Sequence, residues 1–98
     1  MANYAQGSNR IYYVTSAFKS YVITVYFYTP KLEKTQILTF TELEPGVYYL
    51  DVAFTKLGDY IGIFFEDEAK KAAQVFKIIP RDRRWMSSHN YKSDITRI

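Results

Sequence analysis

Few residues of this chain have the types that catalysis requires. The only histidine is His89, and there is no cysteine. The acidic run 66–68 could bind a hard cation, but it lacks the alternating acids and the glycine of a calcium loop. Lys70 and Lys71 follow it, which is typical of a charged hairpin turn. The four glycines are scattered and form no phosphate-binding loop. We therefore predict a non-enzymatic protein with no catalytic residue, no metal and no cofactor.

A basic and aromatic group lies near the end of the sequence. Residues 1–79 have balanced charges, so residues 80–98 account for the whole net charge of +3. Arginine beside tryptophan suits nucleic acid, through phosphate contact and base stacking, but these residues are also favoured anchors of protein interfaces. We favour a protein partner and keep nucleic acid as the less favoured alternative. The predicted partner-binding residues are Arg81, Arg83, Arg84, Trp85, Met86, Tyr91, Ile95 and Ile98.

Tyrosine is abundant, with ten residues in the chain. Tyr26, Tyr28 and Tyr49 lie on strand faces that the alternation pattern predicts to point outward. Exposed tyrosine rings can stack on sugars, but they also cover core edges or pack in oligomers. We predict a possible exposed aromatic face here and favour packing over sugar binding.

Alternating and β-branched runs, separated by turn residues, organise the chain. With 98 residues it fits a single domain. The predicted strands are 10–17, 20–30, 36–43, 47–54, 60–66 and 72–79. The segment DEAKKAA is predicted to form a charged turn, or alternatively one short helical turn. No amphipathic helix interrupts the strands, which predicts an all-β sandwich or small barrel.

Two strands show a clear inward face. On the segment 20–30 the more apolar set is Tyr21, Ile23, Val25 and Phe27. On the segment 47–54, Asp51 marks the outward set. The predicted structural core includes Tyr48, Leu50, Val52, Phe54 and Tyr60.

The ends of the sequence differ from its middle. Residues 1–10 are polar, and residues 80–98 have no sustained period, so we predict an N-terminal arm and a basic C-terminal arm around a domain at 11–79. The first residues lack the apolar segment of a secretory signal, and no apolar run is long enough to span a bilayer. We expect a protein made in the cytoplasm, with no membrane partner.

Two Gly-x-Tyr groups stand twelve residues apart, Gly46-Val47-Tyr48 and Gly58-Asp59-Tyr60. This pattern resembles filamin-like and related immunoglobulin-like domains, in which two neighbouring strands each begin with Gly-x-Tyr. Phe54 stands where those domains often have proline. The resemblance covers residues 20–79 and implies an immunoglobulin-like β-sandwich of about six to seven antiparallel strands. It also implies that Tyr60 forms a tyrosine corner, with its hydroxyl bonded to backbone near a turn.

The segment 41–64, TELEPGVYYLDVAFTKLGDYIGIF, resembles small immunoglobulin-like proteins of tailed bacteriophages. Such proteins decorate capsids or lie in the neck and tail. The resemblance implies a virion structural protein, made in the host cytoplasm, that assembles through its terminal arms. Its partners would be capsid, portal, neck or tail subunits, or further copies of itself. The alternative function is a glycan-binding or host-adhesion module that uses the exposed tyrosines.

Overall fold

The computed structural model describes residues 2–80 and 95–98, and all regular structure in these residues is β-strand. The strands form two sheets, so the predicted all-β fold is confirmed and the arrangement is that of a β-sandwich. The strands are β1 Ala2–Ala5, β2 Gly7–Val14, β3 Ile23–Tyr28, β4 Leu38–Thr39, β5 Thr41–Glu44, β6 Val47–Phe54, β7 Gly58–Glu66, β8 Ala69–Ile79 and β9 Thr96–Arg97.

The two sheets differ in size and strand order. The larger sheet has the order β1-β8-β7-β3-β4, and the smaller sheet has the order β2-β6-β5, with β9 also paired to β6. Most pairs are antiparallel, but β1 runs parallel to β8 and β9 runs parallel to β6. The described residues therefore contain more strands than the six to seven antiparallel ones expected, and two of the pairings are parallel.

The core lies between the sheets and is rich in aromatic rings. The inward face of β3 is Ile23, Val25 and Phe27, all at most 1% exposed. Phe54 lies 4.9 Å from Tyr60 between ring centroids, and both side chains are fully buried. Each such side chain contributes about 1.5–3 kcal/mol through removal of its apolar surface from water. These rings hold the sheets together without any disulfide.

The N-terminal residues are part of the sandwich, which corrects the prediction of an arm at 1–10. Strand β1 pairs with β8 from Ala2 opposite Phe76 to Ala5 opposite Ile79. The ring of Tyr4 packs 5.5 Å from that of Phe76 and contacts the core. The chain then crosses to the smaller sheet and begins β2 at Gly7. Backbone pairing along the edge of β8 orders this polar segment, and composition alone carries no sign of that pairing.

Two other segments differ from the predicted strands. The run 36–43 is interrupted at Phe40, whose side chain is buried and whose backbone N–H donates to the carbonyl of Ile23. The chain changes sheets there, so β4 and β5 are separate strands. The run DEAKKAA holds no helical turn, because Asp67 and Glu68 both have positive φ angles (48° and 72°) and form a two-residue hairpin turn between β7 and β8.

The two Gly-x-Tyr groups lie at opposite ends of β6. Gly46 and Gly58 both have positive φ angles, 94° and 116°, which side chains rarely adopt. Each glycine ends a turn and lets the next strand begin, so that the tyrosine two residues later points into the core. We call these regions the Tyr48 end and the Tyr60 end of the sandwich.

Both tyrosine hydroxyls bond to backbone. The Tyr48 hydroxyl accepts from the N–H of Tyr21 at 2.8 Å and donates to the carbonyl of Lys19 at 3.2 Å. The Tyr60 hydroxyl accepts from the N–H of Lys56 at 3.1 Å. It also donates to the main-chain oxygen of Ile98 at 2.8 Å. Each buried hydroxyl thus satisfies backbone groups of an irregular segment.

Candidate functional site

The predicted C-terminal arm is only partly described. Arg81, Arg83, Arg84, Trp85, Met86 and Tyr91 lie outside the described residues, as does His89. Ile95 and Ile98 are described, and they do not behave as residues of a free arm. Ile98 is 8% exposed and belongs to the core, while Ile95 is half-buried.

Several backbone contacts fix Ile98 in the domain, which corrects its assignment as a partner-binding residue. Its N–H donates to the carbonyl of Ala53 at 2.8 Å. Its main-chain oxygen accepts from the N–H and the hydroxyl of Thr55, each at 2.8 Å, in addition to the Tyr60 hydroxyl. Residues 95–98 therefore belong to the sandwich, and the domain does not stop at residue 79.

The three tyrosines of the predicted aromatic face lie on different sheets. Tyr26 and Tyr28 are on the outer face of the larger sheet, and their rings meet edge to face at 5.6 Å. Tyr49 is on the outer face of the smaller sheet, with the Arg10 guanidinium 4.4 Å from its ring centroid. The structure does not bring the three rings together, so they cannot form one sugar-binding platform.

The outer face of the larger sheet is apolar over three adjacent strands. Its residues are half-buried, and they cover one another across the strands: Tyr26, Tyr28, Ile61, Ile63, Phe65 and Val75. The Tyr26 ring lies 5.8 Å from that of Phe65, and the Lys34 ammonium lies 4.2 Å from the Tyr26 ring centroid. We call this set the aromatic face. In an antiparallel sandwich such a face is ordinarily polar, because it meets water.

The sequence of β7 contains a pattern that indicates the aromatic face, although the prediction of the strand itself did not depend on it. The run Ile61 to Phe65 is apolar at nearly every position, including Gly62. Apolar residues at consecutive positions indicate a strand covered on both faces. The inward members, such as Phe64, are in the core, and the outward members form the centre of the aromatic face.

The smaller sheet has a mixed outer face. On β2 and β6 three cross-strand pairs lie along it: Arg10 with Asp51, Tyr12 with Tyr49, and Val14 with Val47. Arg10 donates two hydrogen bonds to the Asp51 carboxylate, at 2.7 Å and 3.0 Å. This pairing with Asp51 raises the pKa of Arg10. Tyr12 and Val14, next to this ion pair, are more than 60% exposed.

Two of the three acids in the run 66–68, Glu66 and Asp67, have structural contacts. The Glu66 carboxylate accepts from the Tyr13 hydroxyl at 2.7 Å, and burial together with this bond raises the pKa of Tyr13. Asp67 accepts from the backbone N–H of Val22 at 2.7 Å. In residues 2–80 and 95–98, no group of three or more acids or histidines is placed to hold a metal ion.

A shallow cleft of about 610 Å³ opens at the Tyr60 end. Its walls include Lys34, Lys56 and Arg97 with Glu33. The lining threonines are partly committed to the fold, since the Thr35 hydroxyl donates to Gln36 and the Thr55 hydroxyl donates to Ile98. The cleft carries an excess of positive charge, and the hydroxyl of its buried lining residue Thr29 accepts a hydrogen bond from the N–H of Glu33 at 3.2 Å.

Neither a family model, nor a curated protein, nor a solved structure matches this chain. Within the described ranges, no helix has the length and apolar character to cross a membrane. The candidate functional surface is therefore defined by the structure alone, as the aromatic face of the larger sheet together with the exposed strand β2 of the smaller sheet.

Proposed function

We propose that this protein is a non-enzymatic structural subunit that assembles with neighbouring protein subunits in a virion. The observation that carries the proposal is the aromatic face. Apolar side chains from β3, β7 and β8 occupy a surface where an isolated sandwich would present polar residues. Continuous apolar patches on a folded domain mark interaction surfaces.

The chemistry of the aromatic face supports a protein partner over a glycan. Tyr26 meets Tyr28 edge-on and has Lys34 over its ring, so its ring is not an open stacking surface. The aliphatic residues Ile61, Ile63 and Val75 form the rest of the face. Aliphatic and aromatic side chains with one cation at the edge are typical of the apolar centre and polar rim of a protein interface.

The described polar side chains support a structural role as well. The hydroxyls of Tyr48 and Tyr60 hold backbone of irregular segments. Glu66 and Asp67 hold Tyr13 and the backbone before β3. These four side chains are thus engaged in the fold, which favours binding through surfaces over catalysis in a pocket.

The virion context and the immunoglobulin-like classification rest on the sequence resemblance. The positive φ angles of Gly46 and Gly58 and the inward tyrosines that follow are in line with the Gly-x-Tyr pattern of that family. The bond between the Tyr60 hydroxyl and Lys56 is in line with a tyrosine corner. In this proposal the partners are capsid, portal, neck or tail subunits, and the basic residues 81–85 add anchors.

The experiment that tests the proposal replaces residues of the aromatic face in the full chain. Tyr28→Ser with Phe65→Ser is expected to lower incorporation into purified particles at least tenfold, as quantified by mass spectrometry, while circular dichroism stays that of the folded domain. The matched control is Leu43→Ser, because Leu43 is exposed and lies on β5 of the smaller sheet. The control should incorporate like the wild type.

Two outcomes would overturn the proposal. The wild-type chain could be missing from particles purified from the source culture. Alternatively, the double variant could incorporate as well as the Leu43→Ser control. A glycan-array signal that the double variant abolishes would favour the adhesion alternative instead.

A further inference from the structure

Among residues 2–80 and 95–98, the strand β2 forms one edge of the smaller sheet. Its register with β6 runs without a break from Gly7 opposite Phe54 to Val14 opposite Val47. It contains no proline and no lysine, and its one charged residue, Arg10, is paired with Asp51 on the same sheet. Natural edge strands usually carry a charge, a proline or a bulge that prevents pairing with another chain.

The hydrogen-bond phase shows which groups of β2 point away from β6. Just beyond the strand, the N–H of Thr15 donates to the carbonyl of Gly46 at 2.9 Å, which continues the same register. Antiparallel partners exchange hydrogen bonds at every second residue, so the odd-numbered residues of β2 bond to β6. The backbone groups of Arg10, Tyr12 and Val14 therefore face outward along the edge.

The geometry points to a second copy of this chain as the partner, with β2 pairing antiparallel to β2 about a two-fold axis through Ile11. This interaction goes beyond the proposed function and does not depend on it, since it uses an edge of the smaller sheet and leaves the aromatic face free. The two smaller sheets would join into one continuous sheet across the dimer.

The register follows from the side chains. Ile11 and Tyr13 point into the core and Tyr12 points outward, so only registers that keep odd residues opposite odd residues preserve both faces. The register centred on Ile11 sets residues 8–14 of the two copies alongside each other, with Arg10 opposite Tyr12 of the second copy. A contact of the same kind, between an arginine and a tyrosine ring, already occurs within the chain, where Arg10 lies over the ring of Tyr49.

Charge and exposure favour the same arrangement. No like charges lie directly opposite each other in this register, and each Arg10 remains neutralised by its own Asp51. Tyr12 and Val14 are 61% and 62% exposed, and they would become flanked by strands on both sides. Across the two-fold axis, Tyr12 would then face Arg10 of the second copy and Val14 would face its Ser8.

The first test measures self-association of the full chain by sedimentation equilibrium. A concentration-dependent mass that rises from 11.5 kDa towards twice that value is expected. Tyr12→Pro removes an outward N–H and leaves the bonds to β6, so it should weaken association at least tenfold. The control Val22→Ser changes a residue of similar exposure outside β2 and keeps the N–H that bonds to Asp67, so it should associate like the wild type. A wild-type chain that stays monomeric to about 1 mM would overturn the inference.

The second test reads the register directly, because the chain has no cysteine of its own. In a mixture of Arg10→Cys and Tyr12→Cys chains, oxidation should form an intermolecular disulfide between facing positions. Tyr12→Cys alone should not cross-link, since its two copies are diagonal neighbours in the proposed register. Cross-linking of Tyr12→Cys alone at the rate of the mixture would contradict the Ile11-centred pairing.

Discussion

The Tyr48 end and the Tyr60 end of the sandwich use the same short sequence group to hold different parts of the chain. At the Tyr48 end, the hydroxyl bonds to Lys19 and Tyr21, in the segment that leads directly into β3. At the Tyr60 end, the hydroxyl bonds to Lys56 of the adjacent turn and to Ile98, far away in sequence.

This difference shows that one motif can serve either a neighbouring loop or a distant segment. The Tyr60 end is complete only when residues 95–98 return to it. The side chain of Ile98 is buried in the core, and its main-chain oxygen accepts hydrogen bonds from the hydroxyls of Thr55 and Tyr60. The described bonds of the Tyr48 hydroxyl, by contrast, lie within residues 19–48. The two ends should therefore respond differently when the returning segment is altered.

The largest expected effect is at the Tyr60 end. Ile98→Ala removes most of a buried aliphatic side chain and should lower the free energy of unfolding by about 2–5 kcal/mol, measured by urea denaturation. The control Arg97→Ala changes the exposed neighbour and should have an effect within about 0.5 kcal/mol. Equal effects of the two variants would mean that the returning segment does not stabilise the domain.

Substitution of the motif glycines compares the ends directly. Gly46→Ala should cost about 2–4 kcal/mol, because the φ angle is positive and the new Cβ would lie 2.9 Å from the Phe18 ring and 3.3 Å from the Ala17 carbonyl oxygen. Gly58→Ala should cost about 1–3 kcal/mol, since its nearest neighbour is Pro30 at 3.1 Å. Urea denaturation measures both, with the exposed Thr41→Ala as control. A larger effect at Gly58 than at Gly46 would contradict this ranking.

Removal of the two hydroxyls sharpens the comparison. Tyr48→Phe and Tyr60→Phe should each lower the free energy of unfolding by about 1–3 kcal/mol, because each leaves a backbone N–H without its partner. In double-mutant cycles with Ile98→Ala, Tyr60→Phe should be non-additive by at least about 0.5 kcal/mol, and Tyr48→Phe should be additive. Equal coupling of both tyrosines to Ile98 would show that the two ends are not independent.

The smallest expected effect is a loss of stability at alkaline pH through Tyr13, which bonds to Glu66 near the Tyr48 end. Burial and this bond raise the pKa of Tyr13, so the folded state holds the phenolic proton more tightly than the unfolded chain, where tyrosine titrates near pH 10. The stabilisation is therefore complete below about pH 10 and disappears as the pH rises through the raised pKa of the folded state.

The measurement is urea denaturation between about pH 8 and pH 11. Tyr13→Phe keeps the ring stacked on Phe64 but removes the proton, so it should lessen the alkaline loss by less than about 1 kcal/mol. An identical pH profile for the variant and the wild type would exclude a contribution from Tyr13.

The sequence predicted those parts of the fold that short-range alternation encodes. The bounds of β6 match the predicted run 47–54, and the predicted inward residues Tyr48, Val52, Phe54 and Tyr60 are fully buried. Asp51 is the outward marker on this strand and pairs with Arg10. A strand with one buried face and polar residues on the other carries its orientation in its own residues.

Pairing between distant segments was not predictable in this way. The polar segment 2–5 becomes a strand only because β8 offers it an edge, and Thr96 and Arg97 become one only beside β6. Nothing in the composition of either segment specifies these partners, since the contacts are made by backbone groups common to all residues.

The parallel pairing of β1 with β8 and of β9 with β6 has a mechanical consequence. Tension applied between residues 2 and 98 would act along these strands, so the bonds that hold β1 would be loaded together in shear. A peeling force would instead break such bonds one after another. A force applied between these residues would thus load the first and last described strands, each attached to a different sheet.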